Sequence, residues 1–504
     1  MTGRFSLKGL WLGAALLLAA GTGTHAAIVG VAGPAYAFTA QDGYISTADG
    51  GSIYMWGYAS NGTMQFPGPT MIVEQGQVVT VTLTNLLAVP TSIVFPGQEG
   101  VQASGGAPGL MTQEAAAGGG TVTYSFLAAR PGTFTYHSGT NADLQCEMGL
   151  VGALIIRPTG HPDWAYDHPD TAFDREFLFV LSDMDPTIHD KVEFGQAVDQ
   201  TLWWPTYWFI NGRTGPDTMA DDFVPWLPSQ PYSCAPLMKP SEKVLMRLIG
   251  TGHDAHPYHH HGNNAWTIAV DGRMLESAPG AGPDLAVSDF TIRMAPGQTK
   301  DAIYTWTGYG IGWDVYGHVL GQEPADPARR LQAHELYEQS TVGSLLNPGD
   351  TTLTMAPGDG VKFPATFRAI LWNPAYPTPD ADTNREVILC AKTAGDTFAI
   401  QRAREGTTAG TWVAGTIVAY TDHGVPIPVT IPSQQFLFNG QYFSGSTYLG
   451  SLGQLPPGEG GFDPNGGFAY MWHSHNEREI VNNNLFPGGM LTMAFVDPPW
   501  AVLP

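Results

Sequence analysis

Four of the chain's fifteen histidines fall within six residues, in the run His256-Pro257-Tyr258-His259-His260-His261-Gly262. On a β-strand successive side chains alternate between faces, so His259 and His261 point together and His260 points away. A second pair with the same spacing lies in Trp472-His473-Ser474-His475, and Met490 follows a Gly488-Gly489 turn that would bring its thioether toward the histidine edge. Neutral imidazole ligates Cu, Zn, Fe and Ni, and a thioether shifts the preference toward copper. One His-x-His on a strand is most often an ordinary hydrogen-bonded pair, but two such pairs in one chain argue for a metal. The candidate ligands are His256, His259, His261, His473 and His475, with Met490, with His137 from the first unit, and with His318 in Tyr316-Gly317-His318. His260 reads as outward-facing. His161, His168, His189, His253, His334 and His423 have no partner spacing and read as surface or loop residues. Glu477 and Glu479 either orient the neighbouring imidazoles from behind or are solvated surface. Cys146 and Met148 read first as a buried thiol, free or bridged to Cys234, beside a core methionine, and only second as a soft-metal pair.

These residues need strands to hold them, and the composition supplies strands. Hydrophobic residues make up 43% of the 504-residue chain and charged residues 13%, and 62 glycines and 40 prolines punctuate many short segments. Segments of alternating polarity, such as Met71–Asn85, fill a first unit over 27–160; a second spans 174–322 and the pattern returns over 424–504. Between them, 323–339 reads as a linker, and 344–421 as a small inserted β unit. The fold class is therefore all-β. Forty-five acidic against 22 basic residues give a net charge of −23, which excludes nucleic acid as a partner.

The first residues carry Arg4 and Lys8, an apolar run from Leu10 to Ala20, and Thr24-His25-Ala26, the form of an export signal occupying 1–26. No later segment is apolar for long enough to cross a membrane, so the expected product is exported, periplasmic or extracellular, without a transmembrane segment after cleavage. Cys146, Cys234 and Cys390 cannot all pair within one chain.

The run HPYHHHG resembles the HPxHxHG copper motif of the multicopper oxidases, and Trp472 to Met490 resembles their HCHxxxHxxxxM segment. In the first unit, Pro67-Gly68-Pro69-Thr70-Met71 followed by Gly76, Val81 and Asn85 is similar to that family's opening strands. Tyr136-His137-Ser138 is similar to its YHSH. The resemblance implies tandem cupredoxin-like Greek-key β-sandwich domains, with 424–504 as the remainder of a third, and copper as the cofactor. More weakly, Arg404-Glu405-Gly406-Thr407-Thr408-Ala409 resembles the strand-and-turn modules of phage-tail and other surface proteins, over 344–421.

The departures bear on function. Where the family has His-x-His-Gly, this chain has Val94-Phe95-Pro96-Gly97, and the second histidine of YHSH is Gly139. Ser474 stands at the position of the blue-copper cysteine. Tyr316-Gly317-His318 lies where a second such segment would fall. Serine cannot serve as the soft redox ligand that a thiolate is. The expectation is an exported copper oxidoreductase with a histidine-only site, taking electrons from a small-molecule or metal-ion reductant, with homo-oligomerisation left open. The alternatives are a non-catalytic copper-binding or storage protein and an extracellular structural or adhesive scaffold.

Overall fold

The computed structural model describes residues 28–306, 336–421 apart from 377, 378, 380, 381 and 405, and 468–497 with 503. The export signal, His318, His334, His423 and most of the linker lie outside the described residues.

The first unit is a sandwich of two sheets. One pairs Val31–Ala32, Gly68–Glu74, Val151–Arg157 and Gly132–His137; the other contains Ser52–Ala59, Ala35–Ser46, Val78–Asn85, Gly120–Leu127 and Gln102–Ser104. The inner faces follow from the period-2 pattern: in Val78–Asn85 every second residue, from Val79 to Asn85, is buried. Tyr36, Phe38, Val81, Phe134 and Leu154 from the two sheets meet in one core.

The second unit differs from the expected arrangement. Its larger sheet runs in the order Tyr207–Ile210, Arg175–Met184, Lys243–Gly250, Thr299–Thr305, Ala265–Val270 and Arg273–Met274. The facing sheet is Leu237–Met238, Leu491–Val496, Phe468–Ser474, His256–His260 and Thr291–Met294. The C-terminal strands, expected in a third unit over 424–504, therefore complete the second sandwich. Phe179, Met246, Tyr258, Ile292, Trp472 and Val496 share its core. The physical reason is edge pairing: Thr291–Met294 covers one edge of the histidine strand, and Phe468–Ser474 satisfies the backbone groups of the other.

Residues 336–421 form a six-stranded sheet with its own core around Leu353, Phe367, Ile388, Phe398 and Val418. Two of its strands were not anticipated. Thr366–Trp372 is central, and Leu336–Thr341, read as the end of a linker, pairs with Ile417–Thr421.

The sandwiches are joined by an apolar contact of Ile28 and Ala153 with Leu178, Val180 and Ile249. A buried polar link runs beside it. Arg247 donates from Nε to Glu176 at 2.9 Å and from Nη1 to Thr133 Oγ1 at 3.0 Å, and Thr133 donates to Asp301 at 2.5 Å. All three cysteines are free, so a Cys146 to Cys234 bridge does not form; the Cys234 thiol instead donates to the Ile210 carbonyl at 3.0 Å. No helix among the described residues is long and apolar enough to cross a membrane.

Because the inserted sheet packs around its own core, Phe398→Ala should destabilise that unit by about 3–5 kcal/mol and lower one calorimetric transition. Metal bound at the histidine strand of the second sandwich should be unchanged in the same variant. A parallel loss of that metal would show that the insertion supports the site.

Candidate metal centre

The strand His256–His260 sorts its histidines by parity. His256, Tyr258 and His260 are buried toward the sandwich core, and Pro257 and His259 lie on the half-buried outer face, with His261 continuing that face. Antiparallel pairing with Phe468–Ser474 sets His259 directly opposite His473. Four imidazoles thereby meet on the outer face. Ring centroids of His259 lie 4.8 Å from His261, 5.4 Å from His473 and 4.7 Å from His475, and His261 lies 5.3 Å from His473.

The ring orientations are fixed from behind. His473 Nδ1 lies 2.6 Å from the carbonyl of Ser474, which can only accept, so Nδ1 carries the proton and Nε2 presents its lone pair. His259 Nδ1 lies 2.8 Å from Thr291 Oγ1. The His261 backbone is held through its carbonyl, which accepts from Trp472 Nε1 and the Tyr304 hydroxyl, both at 3.2 Å. One nitrogen each from His259, His261 and His473 lies within 4.8 Å of the other two. The facing Nε2 atoms of His261 and His473 are 3.3 Å apart. Two nitrogens at about 2.0 Å from a tetrahedral ion are separated by about 3.3 Å, so the donor set fits one transition ion.

The electrostatics also suit ligation. Burial, the neighbouring histidines and, for His473, a partly compensating backbone bond leave His473 at about 4. His259 and His261 are lowered too, by burial and then by the other rings. At neutral pH all three therefore offer lone pairs and no positive charge. His473 is buried, His259 and His261 are half-buried, and His475 is exposed, so the cluster opens to solvent.

Several candidate residues fall elsewhere. His256 is fully buried on the opposite face, with Nδ1 donating to Glu479 at 2.9 Å and Nε2 lying 3.4 Å from Asp183. Burial alone would lower its pKa, but the two carboxylates outweigh it and raise the pKa to about 9. Met490 is buried in the core of the second sandwich and does not join the imidazoles. Its backbone holds the edge instead: its carbonyl accepts from Ser474 N, and its amide donates to the Glu479 carbonyl. His137 is in the first unit, half-buried, with Nδ1 bonded to the Ser138 carbonyl at 2.9 Å and lying 3.7 Å from Cys146 Sγ. Its backbone pairs with Val94, so the two motif positions of the first unit do meet. A valine occupies one side, and a Cβ on Gly139 would fall 2.7 Å from Val94 Cγ1.

His260 is buried, not outward-facing. Its Nε2 accepts from Ala265 N at 3.0 Å, and burial followed by the charge of His259 lowers it to about 4. His189 is also fully buried, and His253 lies against Glu147. Glu479 is buried and accepts from Ser474 Oγ at 2.5 Å and from Asn476 Nδ2 at 2.8 Å, while Glu477 is exposed. Asp183 was not anticipated at all; the only trace of it in the sequence is an acidic residue at the end of an apolar strand. At the Ser474 position the chain thus places a Ser474–Glu479–His256–Asp183 chain of polar contacts, with no thiol in it.

Residues 40–161 match the sequence profile of the family described as multicopper oxidase. The chain is 40% identical over 96 residues to the multicopper oxidase MCE of Talaromyces pinophilus, covering 19% of this chain and 15% of that one. It is 28% identical over 222 residues to a copper-containing nitrite reductase of Pseudomonas chlororaphis, covering 41% of this chain and 56% of that one. Among solved structures it is similar to the blue copper oxidase of Nitrosomonas europaea, with 23% identity, a TM-score of 0.43, and coverage of 55% and 76%. The chain spans well under two thirds of the length of the two sequence relatives.

The raised pKa of His256 predicts a pH dependence. The group's ordinary value is 6.5 and its folded value is about 9, so the charged contact stabilises fully below about pH 6.5 and is lost as the pH rises through about 9. In chelator-treated protein the melting temperature should fall between pH 7 and 10, reflecting a loss on the order of 3 kcal/mol. In His256→Gln the same interval should show a shallower fall; equal slopes would contradict the assignment.

Proposed function

For a chain that is a divergent, cupredoxin-like relative of the multicopper oxidases, with that family's domain at residues 40–161, we propose an exported copper-binding oxidoreductase. Its copper site is built from histidine alone: His259, His261 and His473, with His475 at the solvent edge. The observation that supports this reading is the opposed pair His259 and His473, whose neighbours complete an imidazole cluster with two Nε2 atoms 3.3 Å apart.

Bound copper supplies one-electron exchange between Cu(II) and Cu(I). The protein's own residues do the rest. Thr291 and the Ser474 carbonyl hold the Nδ1 positions of His259 and His473 and so aim both rings, and the carbonyl, which can only accept, leaves the Nε2 of His473 unprotonated. The exposed side of His475 leaves a small donor direct access to the site. Phe290, 59% exposed and edge-on to His259 with centroids 5.6 Å apart, offers an apolar wall to an organic donor.

The cluster contains no cysteine, and Ser474 is committed to Glu479. An electron therefore has no thiolate entry point, and the reductant, a small organic molecule or a metal ion, meets the histidine site directly. In this reading dioxygen takes up the electrons lost by the reductant, two electrons and two protons for each hydrogen peroxide formed. The site's three-histidine donor set fits one ion, so reduction of dioxygen by four electrons within one chain is not expected.

Copper-loaded protein should bind copper and give an electron paramagnetic resonance signal of nitrogen-ligated Cu(II), without an intense blue band. His259→Ala/His261→Ala should lower bound copper at least about tenfold with the circular dichroism of the β fold retained; stoichiometric copper in that variant would overturn the site. Oxygen uptake with at least one of a phenol, Cu(I), Fe(II) or Mn(II) is the expected activity. Bound copper with no uptake on any of them would favour storage.

A further inference from the structure

A second cluster of ligating groups lies where the two sandwiches meet, separate from the outer-face histidines. Glu147 ends the short helix Ala142–Glu147 of the first unit, Asp183 lies on Arg175–Met184 of the second, and His253 lies in the loop before the histidine strand. One carboxylate oxygen from each acid and one ring nitrogen of His253 all fall within 4.8 Å of one another. His253 Nδ1 is 3.3 Å from Glu147 Oε2.

The acids are held as ligands are held. Glu147 Oε1 accepts from the amide of Asp185 at 2.7 Å and Oε2 from Trp203 Nε1 at 3.2 Å. The two oxygens of Asp183 accept from the amides of His253 at 2.8 Å and Asp254 at 2.7 Å. Each carboxylate is thereby oriented, with further lone pairs available. His189 donates from Nδ1 to the Tyr54 carbonyl at 2.6 Å, and its fully buried Nε2 faces Glu147 Oε1 at 3.7 Å without a hydrogen-bond partner, whereas His256 Nε2, 3.4 Å from Asp183 Oδ2, is already within ion-pair reach of that acid. Buried polar atoms are normally satisfied, so an unpartnered buried imidazole nitrogen facing one of these acids points to a missing partner in the pocket. A partner that gathers both acids and a ring nitrogen must be a cation. The half-exposed side chain of His253 provides the entry path.

We propose that this junction is a divalent metal site, with Glu147, Asp183 and His253 as its protein ligands. Two carboxylates and an imidazole, with no thiolate or thioether among them, form a borderline donor set that takes Zn2+. An ion there would tie the first unit's helix to the second unit's strand and loop.

The test uses the full chain carrying His259→Ala/His261→Ala, so that the outer-face site does not compete, titrated with Zn2+ and assayed by elemental analysis after gel filtration. One retained equivalent of zinc is expected, lost when Glu147→Gln is added. No zinc in the parent variant, or an undiminished equivalent with Glu147→Gln, would overturn the proposal. If Glu147→Gln fails to fold by circular dichroism, His253→Ala replaces it: its half-exposed ring can be removed without opening the core. Zinc affinity should then fall at least about tenfold, and an unchanged affinity would overturn the site. Copper binding by the wild-type outer-face cluster is measured separately, so failure of either site leaves the other standing.

Discussion

Everything at the outer-face site depends on one antiparallel register, that of His256–His260 against Phe468–Ser474, with His259 opposite His473. In such a ladder directly opposed side chains are about 4.5–5.5 Å apart and share a face. That spacing brings four rings together without any specialised loop. A slip by one residue would turn His259 and His261 to the core and expose Tyr258 and His260. The register is secured from the buried side, where Tyr258 and Trp472 pack into the second sandwich's core at full burial. Apolar packing on one face of the strand thus fixes the arrangement of the imidazoles on the other.

The same parity explains why His256 has a different role. It lies on the core side, where an isolated imidazolium would be costly, and it persists there because Asp183 and Glu479 flank it. Ser474, between His473 and His475, also points inward and donates to Glu479. The position that the resemblance equates with the blue-copper cysteine is therefore filled by a serine that, with the Nδ1 of His256, hydrogen-bonds to one glutamate. Introducing a cysteine at 474 alone would leave Glu479 and His256 in a mutual contact that a metal would have to displace.

The first unit shows the complementary pattern. Its motif positions still meet, through the backbone pair of Val94 and His137, yet the side chains there are Val94 and Gly139. The strands bring these positions together, but the side chains they carry there cannot ligate a metal. Two further titratable groups lie next along the chain, Cys146 beside His137 and Glu147 against the second unit. Burial pushes the Cys146 thiol up to about 12, so it is a neutral group under ordinary conditions and not a ready thiolate.

The sequence alone determined what depends on local alternation and residue type. The all-β class, the outer-face partnership of His259 and His261, its match to His473 and His475, and the lack of a cysteine at 474 were all legible, because each follows from period 2 or from chemical identity. Parity also argued against His256 as a partner of His259, although the motif drew it into the ligand set. Pairing between distant segments was not legible. That the C-terminal strands complete the second sandwich, that Met490 turns into its core, and that Glu147, Asp183 and His253 converge from two units are decided by which strand edges and apolar faces remain to be covered once the chain is folded. Burial of His189 has the same origin: a lone histidine carries no local signal of its neighbours, and only the packed sandwiches determine whether it meets water, an acid or the core, just as they determine which face of the His256–His260 strand turns inward.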